Sequence, residues 1–176
     1  MEGTKKKLWI FFQFIISTIF LVGLDQWTKK LAVEHLKGQA DIELIPGVLC
    51  FHYLENRGAA FGTFQNQRTF LLILTSLILL AVCYVLWKLP QDKKYVFLKL
   101  LCFAVTAGGI GNLIDRIRLN YVVDFIYFSL IDFPVFNVAD IYVTVSMVLL
   151  CLLVLFYYKE EEIGRASCRE RVSRVV

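Results

Sequence analysis

Four apolar runs limit what this chain of 176 residues can fold into. They cover residues 8–24, 69–87, 95–114 and 136–158, and each is close to the roughly 20 residues that cross a bilayer as a helix. Hydrophobic residues make up 58% of the chain, which is more than an average soluble domain contains. We therefore predict a membrane protein built as a bundle of four transmembrane helices.

The first run follows three lysines and could be taken for a secretory signal peptide. It is longer than the usual apolar core of such a peptide. It also continues into Asp25 and Gln26, where a signal peptide would show a cleavage site of small residues. We interpret this run as a span that the mature protein keeps.

Lysine placement predicts the orientation of the spans, because cytoplasmic loops carry an excess of Lys and Arg. Basic residues lie before the first span, between the second and third, and after the fourth: Lys5, Lys6, Lys7, Lys88, Lys93, Lys94 and Lys159. We expect these three segments, and with them both termini, to be cytoplasmic. Residues 25–68 and 115–135 are then the two outer segments.

Both outer segments contain strand-like sequence. The first opens with "KKLAVEHLKG", a candidate for a short interfacial helix, and continues as "DIELIPGVLCFHYLENRGAAFGTF", which is rich in β-prone residues around a turn signal. The second, "YVVDFIYFSLIDFPVF", is β-branched and aromatic. We predict that the two segments pair into a small extracytoplasmic β-sheet, a β-cradle lying on the membrane surface.

We expect residues 1–159 to form a single membrane-embedded domain. Residues 160–176 are a charged tail whose "GRASCRERV" portion resembles vector-derived sequence, so the tail carries no functional argument. Membrane topology explains the net charge of +4, and no basic-aromatic module indicates nucleic acid. His35, His52 and the cysteines lack the spacing of metal ligands or redox pairs, so we expect no metal and no cofactor.

Polar side chains gather at the outer ends of the spans. In chain order they are Asp25, Gln26, Thr28, Lys29, Asn112, Asp115, Arg116, Asn137, Asp140 and Thr144. Spacings of three and four residues place Asn112 with Asp115 and Arg116, and Asn137 with Asp140, on shared helix faces. Arg116 beside Asp115 indicates a structural ion pair or dipole role for that acid. Because all these groups fall on the outer side, the topology alone brings them together.

Asp140 is the least expected of them, since a carboxylate at membrane depth is costly unless it is paired, hydrated or uncharged. The helix dipole and free N–H groups also favour an Asp near a helix N-terminus, so Asp140 alone does not decide its role. Asp124 lies among Val, Phe and Ile in the second outer segment, where poor solvation raises a carboxyl pKa. If this segment folds back over the bundle, the two acids meet and retain one proton, which places an acid beside a base as in aspartic proteases.

Five motifs, in order across residues 8–158, resemble those of the bacterial lipoprotein signal peptidases, the type II signal peptidase family. They are "DQWTK", "ENRGAAFG", "GGIGNLIDR", "VVDF" and "FNVADI". The resemblance implies a four-helix membrane aspartyl endopeptidase with a small extracytoplasmic β-cradle. It also implies cleavage of a prolipoprotein just before the cysteine that carries a diacylglyceryl group, with release of the signal peptide.

By motif position, the resemblance implies that Asp124 and Asp140 are the catalytic pair acting through an activated water. It implies six substrate-binding or dyad-supporting residues: Asn56, Gly58, Asn112, Arg116, Asn137 and Ala139. Asp25, Lys29 and Asp115 are expected to be structural residues of the motifs. The expected partners are a lipid-modified prolipoprotein and membrane lipid, at the outer face of the bacterial cytoplasmic (inner) membrane. We expect a monomer, inhibited by peptide antibiotics of the globomycin type.

Two other functional classes stay open on the sequence. A proton-coupled transporter also uses intramembrane acids, but it predicts polar groups throughout the depth of the membrane, whereas the inner halves of the second and fourth runs are plain hydrocarbon. A non-catalytic scaffold or substrate-binding protein gives no reason for paired acids. A lipidated precursor separates the three classes, because only a peptidase converts it to the mature mass.

Overall fold

The structure, a computed structural model, describes residues 2–59, 63–90 and 92–157, and of residues 2–7 the backbone alone. Helices and strands follow one another as α1 Glu2–Leu36, β1 Ile42–Ile45, β2 Leu49–Asn56, α2 Arg68–Lys88, α3 Val96–Arg118, β3 Val122–Tyr127 and α4 Val138–Leu152. A 3-10 turn leads into α3 and a π-helical turn, Leu153–Tyr157, continues α4. The charged tail predicted at residues 160–176 and the basic Lys159 lie outside the described residues.

Among the described residues, four helices are long and apolar enough to cross a membrane, over Leu8–Leu36, Arg68–Lys88, Lys93–Arg118 and Val138–Tyr157. The prediction of a four-helix membrane bundle is confirmed. Helix α1 does not end with the predicted first span but continues as one helix from residue 24 to Leu36. No proline or glycine interrupts that stretch, and the helix ends just before Gly38, which adopts the left-handed conformation with φ 74°. The segment expected to form a separate interfacial helix is therefore the last part of α1.

Helix α3 is the centre of the bundle. It packs against each of the other three helices. Half of the residues in its most apolar stretch are buried, against 6–11% in the corresponding stretches of the other helices. Glycines in "GGIG" allow this close approach, since the Cβ of an alanine at Gly108 would lie 2.5 Å from the Ala139 carbonyl oxygen in α4. The outward faces of the bundle carry large apolar side chains such as Phe20 and Leu80, as lipid contact requires.

The three strands form one antiparallel sheet in the order β1-β2-β3, which confirms that the two outer segments pair. Alternate residues of β3 point to opposite faces. Val123 and Phe125 pack with Ala32 and Leu36 in a small hydrophobic core between the sheet and the end of α1. The extension of α1 thus supports the sheet from one face, and Asp124 points to the other face, towards α4.

Candidate active site

Asp140 lies in the first turn of α4, where it is held by reciprocal hydrogen bonds with the residue before the helix. Asn137 Oδ1 accepts the N–H of Asp140 at 3.0 Å, and Asp140 Oδ2 accepts the N–H of Asn137 at 3.1 Å, which makes a capping box. The other carboxylate oxygen, Oδ1, accepts Nδ2 of Asn112 at 2.8 Å. Asp140 is therefore a capping residue, and its carboxylate is also fixed from the neighbouring helix α3.

Asp124 reaches the same place from β3 and is only 1% exposed. Its Oδ1 accepts Nδ2 of Asn137 at 2.6 Å and its Oδ2 accepts Nδ2 of Asn56 at 2.9 Å. Burial raises the pKa of Asp124 to about 7 and the charge of Asp140 adds to the rise, while the two amides and Lys29 oppose it. Asp124 therefore gains and loses its proton near neutral pH.

This raised pKa predicts a pH-dependent effect of Asp124→Asn on stability. The folded carboxyl holds its proton up to about pH 7, whereas the unfolded one releases it near the ordinary value of 3.8, so the wild type loses stability as pH rises between these values. Asn does not titrate. The free energy of unfolding of the variant, relative to that of the wild type, should therefore rise by on the order of 2 kcal/mol from pH 5 to pH 8. Melting temperatures of the two proteins at both pH values measure this, and an equal difference at the two values would contradict it.

Asn137 connects the two acids and is completely buried. Its backbone N–H donates to Asp140, and its side-chain Nδ2 donates both to Asp124 and, at 3.1 Å, to Oδ1 of Asn112. Each oxygen of the two carboxylates therefore accepts one N–H group, from Asn56, Asn112 or Asn137. One residue sets the positions of two acids that come from different elements of the fold.

A buried lysine joins α1 to this group. Lys29 Nζ lies 2.9 Å from Asp25 Oδ2 and 2.8 Å from Asp115 Oδ2, and it donates to Asn112 Oδ1 at 2.8 Å. The side chains of Lys29, Asp25 and Asp115 are each no more than 4% exposed. Asp115 thus has a structural ion pair, as expected, and its partner is Lys29 from α1 and not the adjacent Arg116. Neighbouring residues point about 100° apart around a helix, so Asp115 faces α1 while Arg116 faces elsewhere.

Arg116 instead supports the loop that follows β2. Its guanidinium donates to the Gly58 carbonyl oxygen at 3.0 Å and approaches the Asn112 carbonyl oxygen at 3.5 Å. The N–H of Gly58 donates to Oδ1 of Asn56 at 2.9 Å, which leaves Nδ2 of that amide for Asp124. A Cβ at Gly58 would lie 2.6 Å from the carbonyl oxygen of Thr63, so the turn accepts only glycine without a shift. Arg116 and Asn56 thereby hold this loop next to Asp124.

Ala139 and Gln26 complete the junction of α1, α3 and α4. The N–H of Ala139, which is fully buried, donates to Asp25 Oδ1 at 3.0 Å. Gln26 Nε2 donates to Asp115 Oδ1 at 2.8 Å, to the Gly111 carbonyl oxygen at 3.2 Å and to Asp25. Gln26 was missing from the predicted site; the signal for it was its place beside Asp25 in "DQWTK". The structure brings all the residues predicted for the site into one connected network.

The network offers proton-transfer groups. No set of three or more His, Cys, Asp or Glu side chains is arranged to hold a metal ion within the described parts of the chain. An acid that titrates near neutral pH and a second carboxylate both accept hydrogen bonds from Asn137, the first from its side-chain amide and the second from its backbone N–H. Such a pair can keep a proton on one group while the other accepts a proton, which is what general acid–base hydrolysis of an amide requires.

Comparison with known proteins identifies the class. The family model described as signal peptidase (SPase) II matches residues 17–156. The lipoprotein signal peptidase of Streptococcus thermophilus strain CNRZ 1066 is 44% identical over 146 residues, which cover 83% of this chain and 92% of the relative. That of Streptococcus pyogenes serotype M5 strain Manfredo is 42% identical over 151 residues, which cover 86% and 96%. The fold and these matches define a multi-pass membrane peptidase of the aspartic type.

Solved structures agree with this class. A bacterial membrane enzyme solved by the in meso method at 2.3 Å resolution superposes with a TM-score of 0.72 and 33% identity, over 84% of this chain and 92% of the other. A second structure, solved at 1.9 Å resolution, gives a TM-score of 0.70 and 32% identity, over 83% and 94%. The chain belongs to the signal peptidase II family, the lipoprotein signal peptidases, which cleave signal peptides from prolipoproteins.

Proposed function

We propose that this peptidase uses Asp124 and Asp140 as a catalytic dyad that activates one water to cleave just before the diacylglyceryl-modified cysteine. The observation that carries the proposal is the hydrogen-bonded unit that Asn137 makes of these two acids. One carboxylate removes a proton from the water as it attacks the scissile carbonyl carbon. The protonated acid donates its proton towards the carbonyl oxygen, and the departing amine then receives a proton from the dyad.

The other residues of the network hold this pair in place. Asn112 and Asn137 donate to the acids without titrating themselves. Asn56, Gly58 and Arg116 fix the loop after β2, next to which the substrate's backbone passes. The three charged residues at the α1–α3 junction, Asp25, Lys29 and Asp115, and the small Ala139 fix the start of α4.

The substrate's own signal helix and lipid bring the scissile bond to the membrane surface, where the dyad lies. We propose that the enzyme acts as a monomer at the outer face of the cytoplasmic membrane, and that peptide antibiotics of the globomycin type occupy this site. Purified protein incubated with a diacylglyceryl-modified precursor should release the signal peptide, as mass spectrometry will show. The same precursor without the diacylglyceryl group is the control and should stay intact. Equal cleavage of both would contradict the lipid requirement, and no cleavage of either would contradict the proposed function.

The proposed orientation gives a separate prediction. A reporter inserted in the segment between α2 and α3 should be cytoplasmic, because this segment carries Lys88, Lys93 and Lys94. A reporter at Gly47, in the turn between β1 and β2, should be external. Protease protection or reporter activity in intact cells measures both positions. An external α2–α3 segment would reverse the topology and place the acids on the cytoplasmic side.

A further inference from the structure

The amide of Asn112 lies between a buried cation and one of the acids. Its Oδ1 accepts Nζ of Lys29 at 2.8 Å and Nδ2 of Asn137 at 3.1 Å, while its Nδ2 donates to Asp140 at 2.8 Å. Turning this amide by half a revolution would set its NH2 group against two donors and its oxygen against a carboxylate. An ammonium group has donors only, so the contact with Lys29 permits one orientation of Asn112.

We propose that Lys29 is a positioning residue of the dyad: held by Asp25 and Asp115, its ammonium fixes the Asn112 amide in the orientation that donates to Asp140. The inference rests on the proposed function of the two acids. Lys29 does not touch the reacting atoms. It acts through Asn112, and its positive charge lies next to a site that gathers more acids than bases.

The third hydrogen bond of Lys29 separates this role from that of a plain counterion. Neutralising Asp25 and Asp115 requires only the contacts at 2.9 Å and 2.8 Å to these two acids. The additional bond to Asn112 leads to the dyad. The charged groups around the dyad, which is formed by Asp124 from β3 and Asp140 from α4, are Asp25 and Lys29 from α1 and Asp115 and Arg116 from α3. The Lys29 charge also opposes the burial effect that raises the pKa of Asp124.

Lys29→Met tests the role, because methionine keeps most of the length of the side chain without its charge. The variant loses the charged hydrogen bond from Lys29 that orients Asn112 and, through it, Asp140. This loss should lower kcat/KM on the order of 10- to 100-fold. Without the cation the dyad holds its proton more tightly, so the acidic limb of the pH–rate profile should move to higher pH by roughly 1 unit. Lys30→Met is the matched control: the Lys30 side chain is 71% exposed, and the variant should keep wild-type turnover and pH profile.

Lys29→Met also leaves two buried acids without their cation, so a second variant separates stability from positioning. In Lys29→Met/Asp115→Asn one buried charge of each sign is removed, and the melting temperature should recover towards that of the wild type. The inference predicts that kcat/KM stays low in this folded variant, because the Asn112 amide still lacks the ammonium that orients it, while the pH profile returns towards that of the wild type because one charge of each sign has been removed. Wild-type turnover in this variant would overturn the inference and leave Lys29 a counterion. Failure of the proposed dyad would show differently, as cleavage by Asp124→Asn or Asp140→Asn.

Discussion

Asp124→Asn and Asp140→Asn should each lose nearly all cleavage of a diacylglyceryl-modified precursor, on the order of 1,000-fold or more in kcat/KM, and remain folded. Asn has almost the shape of Asp, and its side-chain oxygen can still accept one of the N–H groups that hold each acid. It cannot take up or release a proton at neutral pH. Turnover should be measured together with the melting temperature of each purified variant.

Two further acids serve as controls for this result. Asp132 is exposed in the same outer segment as Asp124 and has φ 49°, a conformation that Asn tolerates, so Asp132→Asn should keep wild-type turnover. Asp115→Asn removes a buried partner of Lys29 and should lower stability more than it lowers the rate of the chemical step. Substantial turnover by folded Asp124→Asn or Asp140→Asn would rule out the aspartyl mechanism.

Gly108→Ala should strongly destabilise the protein and reduce turnover. The added Cβ would lie 2.5 Å from the carbonyl oxygen of Ala139 and 2.7 Å from Cγ2 of Val143, so α3 and α4 would have to move apart. Overpacking of this kind typically costs about 1–3 kcal/mol, and here the contact is with backbone that cannot rotate away. Because Ala139 precedes Asp140, the displacement also moves a carboxylate of the dyad. Thermal unfolding in detergent and the cleavage assay measure the two effects.

Gly23→Ala is the matched control in the same bundle. Apart from the chain neighbours of Gly23 and the backbone of its own helix α1, no heavy atom lies within 4 Å of a Cβ built at this residue, and Ala favours a helix over Gly by roughly 1 kcal/mol. This variant should therefore be as stable as the wild type or slightly more stable, with unchanged turnover. If Gly108→Ala behaved like Gly23→Ala, the close contact between α3 and α4 would be refuted.

Much of the fold was predictable because a bilayer requires long apolar helices and leaves few alternatives. The pairing of the outer segments also followed from their β-prone residues. The continuation of α1 to Leu36 could not be predicted, because polar residues at the membrane surface are compatible with a helix that ends there and with one that continues. The deciding signal is local: the first left-handed glycine after the span is Gly38.

The sequence predicted the members of the site better than their contacts. Topology alone gathered the polar residues at the outer ends of the helices, and strand alternation set Asp124 opposite Val123. The pairing of Lys29 with Asp115, and the position of Asn137 between both acids, depend on how three helices rotate against one another. Gln26 was named among the polar groups at the end of the first span but was given no role, because its contacts with α3 depend on the same helix rotation.

We propose that Asp124 and Asp140 act as one catalytic unit, and the double variant Asp124→Asn/Asp140→Asn is the decisive test of this unit. Single-turnover cleavage of the lipidated precursor should be measured for the wild type, both single variants and the double variant under the same conditions. Mutational losses at groups that act as a unit are strongly non-additive, so we expect the turnover of the double variant to be within a few-fold of that of either single variant. A loss equal to the product of the two single losses would show that the acids contribute independently and would rule out the shared dyad.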